Sequence, residues 1–256
     1  MKSKLLNFIL AMALIFGCSD DNSTAPETGS GTLTMSITDS YFEISSLTIH
    51  IYEIAIHKDN EWIIVDSLDH TVDLVQYNNG DLYELFSDQI EPGHYNQIRL
   101  MIDEAEIVYD GTTYDIEIPS SMHTGLKLVN AFSVSEGTET SLILDFDVNR
   151  SVHITGGQQN LNFKMHPTIR VIEERSTGNI RGELTNLDKP AIAYAFAESD
   201  TVATSPVKSS GVFILAFLPE GTYSVKVEDE DGRIYNEEDV SVTLNQVTDI
   251  GQIELQ

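Results

Sequence analysis

Cysteine is almost absent: the 256-residue chain contains one, Cys18. No intramolecular disulfide can form, so each domain has to stand on its own apolar core. Basic residues are scarce as well, 14 Lys and Arg against 41 Asp and Glu, for a formal net charge of −27. Such a surface repels phosphate backbones and anionic headgroups, which argues against nucleic acid as a partner. No apolar run of membrane-spanning length follows the amino-terminal segment, and no helix–strand alternation of a doubly wound parallel sheet is present. Catalytic signatures are missing too. There is no G-x-S-x-G, and His50, His57, His70, His94, His123, His153 and His166 form neither H-x-H nor H-E-x-x-H. Ser205-Pro206-Val207-Lys208 matches S-x-x-K in letters only. That chemistry needs the serine at a helix start with partner motifs, whereas a turn between strands is expected here.

What is present begins at Cys18. Lys2 and Lys4 precede an apolar stretch from Leu5 to Phe16 broken only by Asn7, and Ile15-Phe16-Gly17-Cys18 closes it with small residues. The stretch is too short to span a bilayer and fits the apolar region of a secretory signal. Ser19 to Gly31 is polar and rich in Ser, Thr, Asp and Gly. The pattern resembles a bacterial lipobox, with Ile15 where leucine is usual and Phe16 bulkier than typical. The resemblance implies a signal peptide over 1–17, acylation of Cys18, and a lipidated flexible leader over 18–30. Two or three acyl chains on one cysteine bury enough methylene to hold a protein stably at a membrane. Ser19 after Cys18 does not resemble the inner-membrane retention signal, and Asp20-Asp21 resembles the acidic tract of some surface-exported lipoproteins. An outer-membrane or cell-surface address follows, with a periplasm-facing one as the alternative.

Almost everything after Gly31 reads as strand. Leu33, Met35 and Ile37 alternate with polar residues at the period of a half-buried strand. Leu47, Ile49 and Ile51 share one parity and Ile54 and Ile56 the other, which predicts a bulge near Tyr52 and Glu53. Trp62 to Val65 and Val72 to Leu74 follow as short strands. Gln76 to Ile90 is the one segment expected to hold a helical turn or short helix, since Leu82, Leu85 and Phe86 lie at helical spacing. Ile98, Leu100 and Ile102 alternate, Asp110-Gly111 marks a hairpin, and Leu142, Leu144, Phe146 and Val148 alternate again. Leu161, Phe163 and Met165, then Ile169 to Ile172, complete the set. A polar stretch, Glu173 to Gly178, suggests a boundary between domains at 31–175 and 177–256. Beyond it, six or seven short strands are separated by turns at Asp188-Lys189-Pro190, Ser210-Gly211, Pro219-Glu220-Gly221 and Asp231-Gly232. The fold expected is all-β: two β-sandwich domains in tandem, Greek-key and transthyretin- or immunoglobulin-like, after a lipoprotein signal peptide.

Two family resemblances can be read from motifs. Gly31-Thr32-Leu33 leads into Thr38-Asp39, followed by Trp62, Val72-Asp73-Leu74 and Pro92-Gly93-His94-Tyr95-Asn96-Gln97-Ile98-Arg99-Leu100. Asp110-Gly111, Ile118-Pro119 and Gly125-Leu126-Lys127 come next. Leu144-Asp145-Phe146-Asp147, Arg150-Ser151-Val152, His166-Pro167 and Ile169-Arg170-Val171 close the series. In that order these resemble the bacterial and archaeal family known as domain of unknown function 4382, with the usual loop shortened around Tyr41 and Phe42. No activity and no catalytic or binding residues come with that resemblance. In the second domain, Ile180-Arg181-Gly182-Glu183-Leu184, Pro190-Ala191, Gly211-Val212-Phe213 and Leu218-Pro219-Glu220-Gly221-Thr222-Tyr223 resemble the carboxypeptidase-regulatory or transthyretin-like sandwich. That fold is grouped with carbohydrate-binding-like sandwiches, an analogy at the level of fold alone. Gly93-His94-Tyr95 repeats the turn of Gly221-Thr222-Tyr223, read here as shared turn chemistry rather than kinship.

Candidate sites remain. Asp145 and Asp147 share one strand face, where they need solvent, a cation or a metal, with Arg150 and Arg170 as ion-pair partners. Asp229 and Asp231 lie in the acidic turn Glu228-Asp229-Glu230-Asp231-Gly232, which lacks the ligand series of an EF-hand. Calcium at either place is the only cofactor to weigh against a solvated acidic turn. Trp62, Tyr77, Tyr83, Tyr109 and Tyr114 could stack on sugar rings if exposed together, the alternative being that they cap or fill the core. These features point to a non-catalytic lipoprotein with a binding, adhesive or envelope-structural role. Its partners would be the membrane, through the anchor, and a glycan or protein ligand. An accessory subunit of an envelope hydrolase, or an unrecognised hydrolase, is the alternative.

Overall fold

The alternation Leu33, Met35, Ile37 folds as strand β1 (Gly31–Ser40), with all three side chains fully buried. The computed structural model describes residues 29–40, 44–157 and 160–256. The signal segment 1–17, Cys18, most of the leader and the shortened loop at 41–43 lie outside the described residues.

β2 (Ser46–Lys58) turns through Asp59-Asn60 into β3 (Glu61–Asp66), and β4 (His70–Asp73) follows. Asp59 and Asn60 both have positive φ, 51° and 66°, the backbone of a two-residue hairpin turn. A 3-10 turn (Leu74–Gln76), capped by Asp73, precedes β5 (Tyr83–Ile90). β6 (Gly93–Tyr109), β7 (Thr112–Glu117), β8 (Leu126–Val134) and β9 (Glu139–Asp147) come next. A four-residue helical turn, α1 (Val148–Ser151), leads to β10 (Val152–Thr155), β11 (Asn162–Met165) and β12 (Ile169–Glu173).

These strands make two facing sheets. One has the order β12-β9-β1-β5; the other has β10-β11-β7-β6-β2-β3, with β4 also beside β2 and β8 also beside β6. Leu33, Leu142 and Phe146 of the first sheet meet Ile49, Ile54 and Leu100 of the second in one core. The bulge expected near Tyr52 is present: the β2–β6 register shifts between His50 and Ile51 and again between Ile51 and Glu53. It lets Leu47, Ile49, Ile51, Ile54 and Ile56 all reach the same interior despite their change of parity. Asp110 and Gly111 have φ of 49° and 70° and join β6 to β7, as their hairpin chemistry predicts.

The helix expected within Gln76–Ile90 does not form. Tyr83–Ile90 is a strand paired with β1, and its register jumps so that Met35 faces Phe86 while Ser36 faces Glu84. Leu85 is the extra residue of that bulge. A bulge places neighbours Leu85 and Phe86 both toward the core, which imitates helical spacing in the sequence.

The chain passes through a 3-10 turn, Glu174–Ser176, into seven further strands. These are β13 (Thr177–Leu184), β14 (Ala191–Ala197), β15 (Asp200–Pro206), β16 (Val212–Pro219), β17 (Gly221–Asp229), β18 (Ile234–Val242) and β19 (Val247–Ile253). They form sheets of order β16-β13-β19 and β15-β14-β17-β18. Ile180, Phe213, Leu215 and Leu218 of one sheet pack on Ala193, Val225 and Val227 of the other. The protein is all-β, with β-sandwich architecture throughout.

Candidate functional site

β9 is apolar on both faces. Leu142, Leu144 and Phe146 enter the first core, while Ile143 points the other way and is equally buried. Its cover comes from the second sandwich. Ile143, Ile172 and Phe217 form a separate cluster, with Leu82 and Ala216 against it. Phe217 reaches that cluster because β16 bulges against β13, where Ile180 pairs with Leu215 but Gly178 with Leu218. Phe217 itself takes a positive φ of 57°, which is rare for a bulky residue. Asn179 Oδ1 accepts its backbone N–H at 2.9 Å and holds it there. Leu218 then takes the interior place that alternation would have assigned to Phe217.

Polar contacts reinforce the junction. The buried Asn79 side chain donates from Nδ2 to the Pro206 carbonyl at 3.0 Å and accepts the Ile214 N–H on Oδ1 at 3.0 Å. Lys208 Nζ meets Asp81 Oδ2 at 2.9 Å. Beside them a cavity of about 20 Å³ is lined by Thr38, Asp39, Asn79, Asp145, Arg170 and Phe217, among others. That volume admits about one water molecule.

A second opening lies on the side of the first sandwich where β3 and β5 end their sheets. Ile56, Ile63, Ile64, Val65, Phe86, Ile90 and Tyr95 give it an apolar lining, with Asp88, Gln89 and Glu91 beside them, and its volume is about 330 Å³. Ile63 and Ile64 are 39% and 55% exposed, unusual for neighbouring isoleucines in a strand.

Each of the candidate carboxylates has a protein partner. Asp145 is buried at the cavity and accepts from Arg170 Nη2 at 2.7 Å and Nε at 3.2 Å. Asp147 ends β9, caps α1 by accepting the Arg150 N–H at 3.0 Å, and pairs with the Arg150 side chain at 3.4 Å. Asp229 accepts the N–H groups of Asp231 and Arg233, and Arg233 Nε reaches it at 2.7 Å. Burial works against the charged form of Asp229, yet the Arg233 N–H and guanidinium outweigh it and hold the carboxyl below its usual range. Asp231 lies 3.7 Å from Lys189. Among the described residues no three or more His, Cys, Asp or Glu side chains gather as a metal site would require.

The five aromatic candidates fall into three groups rather than one platform. Trp62 packs against His57 at 4.9 Å and under the Arg99 guanidinium at 4.6 Å. Tyr77 and Tyr83 meet edge-on at 5.3 Å, with His70 beside Tyr83. Tyr109 and Tyr114 both lean on Phe163 at the end of the first core. All five are half-buried.

Ser205 lies within β15 rather than in a turn, its Oγ buried without a hydrogen-bond partner among the described residues, and Lys208 is engaged by Asp81. Nothing in that arrangement activates the hydroxyl. Three contacts lay beyond sequence reading. His50 Nδ1 sits 2.6 Å from Asp103 Oδ1, and this hydrogen bond, opposed by burial and aided by the charges of Asp103, Asp69 and Glu104, raises its pKa. The Tyr95 and Tyr223 hydroxyls donate to the Glu91 and Pro219 carbonyls at 2.6 and 2.7 Å, each four residues upstream. That parallel gives the repeated glycine–tyrosine turn a common physical purpose: the ring closes the core edge while its hydroxyl satisfies the turn.

No curated protein matches the chain. Among solved structures, the Bacillus anthracis TIE protein is similar at 13% identity with a TM-score of 0.25, over 89% of this chain and 34% of that one. The chain therefore spans about a third of that protein's length. The minor pilin GBS52 of Streptococcus agalactiae is similar at 14% identity with a TM-score of 0.24, over 88% of this chain and 95% of that one. A fimbrial protein from Bacteroides ovatus stands at 8% identity and a TM-score of 0.25, over 89% and 50% of the two chains. The family model described as domain of unknown function (DUF4382) matches residues 30–167, more than half of the sequence, and the chain belongs to that family.

Proposed function

We propose that the protein is a non-catalytic binding module, tethered through acylated Cys18 at the outer membrane or cell surface, with an adhesive or envelope-structural role. The observation that carries this reading is the contrast between a closed junction and an open edge. The polar cavity between the sandwiches admits about one water, whereas the opening of about 330 Å³ is apolar and lies against free strand edges. A cavity that small holds no substrate, despite the Asp145–Arg170 pair beside it.

The anchor is supported by Lys2, Lys4, the apolar run and Gly17-Cys18, and the surface address by Ser19-Asp20-Asp21. The second sandwich fits a carboxypeptidase-regulatory-like module through the Leu218–Tyr223 turn and its hydroxyl bond to Pro219. The division of Trp62, Tyr77, Tyr83, Tyr109 and Tyr114 into three groups favours a polypeptide ligand over a sugar.

The test joins three measurements. Labelled palmitate should enter the wild-type protein and not Cys18→Ala. Protease added to intact cells should degrade the sandwiches. The anchored protein should retain an envelope or surface component on affinity capture. Absence of label, or full protease protection together with no retained component, overturns the reading. Turnover of an envelope polymer or ester by the purified protein would favour the hydrolase alternative.

A further inference from the structure

The side of the first sandwich at β3 and β5 combines three properties. β5 is the last strand of one sheet and β3 of the other, so each leaves one edge without a strand neighbour among the described residues. Such edges are templates for a further strand and are normally blunted by charge, proline or a covering element. Between the two edges the floor is apolar: Phe86 and Ile90 of β5, Ile63, Ile64 and Val65 of β3, and Ile56 and Tyr95 behind them. The depth of this floor distinguishes it from a merely exposed edge, since side chains of an added strand would have somewhere to go.

The rim supplies the third property. Asp88 on β5 and Glu91 beyond its end border the opening and are both exposed. Glu91 Oε1 engages Lys58 Nζ at 3.0 Å. Asp88 leaves this rim negative on a chain whose net charge is already −27. A second copy of the chain docking edge to edge on this groove would bring Asp88 toward an equivalent carboxylate on an equally acidic chain, which is unfavourable. A polypeptide with apolar residues in alternation and cations at its ends meets both the floor and the rim.

We propose that this groove binds an extended, alternately apolar polypeptide segment flanked by lysine or arginine, which adds as a strand to the free edge of β5. Backbone hydrogen bonds to β5 supply affinity, alternate side chains fill the space over Ile63, Ile64 and Phe86, and the flanking cations answer Asp88 and Glu91. This rests on the reading of the protein as a binding module and names the class of its partner.

The test uses the full chain in detergent and a fluorescent peptide of about nine residues, alternating Val and Thr with a lysine at each end. Three comparators accompany it: the same peptide ended with glutamates, one N-methylated at alternate backbone positions, and the protein variants Ile64→Lys and Asp88→Lys. Both variants change exposed side chains, and unaltered melting temperatures would show them folded. The lysine-ended peptide should bind, more weakly as salt rises. Ile64→Lys should weaken binding at least about tenfold, N-methylation should abolish it, and Asp88→Lys should shift preference toward the glutamate-ended peptide. Failure of the lysine-ended peptide to bind, or equal binding by folded Ile64→Lys, overturns the proposal. Self-association that Ile64→Lys disperses would make a second copy the occupant and overturn it as well. Envelope capture run in parallel separates the two levels: retention by both wild type and Ile64→Lys leaves the binding module standing and removes the groove from it.

Discussion

Asn79 Oδ1 accepts the backbone N–H of Ile214 at 3.0 Å across 135 positions of chain, and the same amide donates to Pro206. One buried side chain thus satisfies backbone groups on β15 and β16 of the second sandwich from a loop of the first. Phe217, seated on Ile143 and Ile172, adds an apolar contact between the two sandwiches.

Asn79 has a positive φ of 56°, so Asn79→Gly removes both bonds without adding backbone strain. The variant should lose about 1–3 kcal/mol. It should also uncouple the sandwiches, seen as a larger radius of gyration in solution scattering and two calorimetric transitions. An unchanged single transition would show that the apolar cluster alone carries the junction.

Tyr95→Phe and Tyr223→Phe each remove a hydroxyl bonded to a turn carbonyl while leaving the ring. Each should lower stability by about 1 kcal/mol, read as a shift of urea midpoint at constant slope. Equal losses would mark the two turns as the same device in both sandwiches.

His50 is held above its ordinary value of 6.5, chiefly by its hydrogen bond to Asp103. A raised folded-state pKa means the contribution is fully present below the unfolded value and is lost as pH rises through the folded one. Urea midpoints of the wild type should therefore decline on raising pH above about 6.5 relative to His50→Gln. Parallel profiles for the two proteins would refute the pairing.

Asp229 carries the opposite sign. Its carboxyl, held low by Arg233 against the pull of burial, contributes stability above its usual value of 3.8 that is lost as pH falls through the folded value. Asp229→Asn should flatten the acid limb of a pH–stability profile. Because Arg233 already engages this carboxylate, millimolar calcium should leave the melting temperature unchanged; a rise would establish a cation site in the acidic turn.

Much of the strand pattern was legible because alternation and turn chemistry are local. Asp110-Gly111 announces its hairpin, and the parity change after Ile51 announces a bulge. The same logic failed at Leu82, Leu85 and Phe86, where a bulge in β5 reproduces the spacing of a helix. It also fell short at the candidate sites. Trp62, Tyr77, Tyr83, Tyr109 and Tyr114 carry the chemistry of a sugar platform, but which rings share a surface depends on strand order, and they are dispersed.

The sequence by itself determined the all-β class, the positions of most strands and the acidic surface, since each depends on neighbours a few residues away. Only the tertiary structure decided what covers an apolar face. Ile143 and Phe217 are as apolar as the residues beside them, yet both leave their own cores to meet each other. Asn79 finds its partners only when the chain returns more than a hundred positions later with Pro206 and Ile214. Ile63 and Ile64 stay exposed because β3 is the last strand of its sheet. Periodicity tells a side chain to seek burial; only the packing of distant strands supplies the partner or leaves the place open.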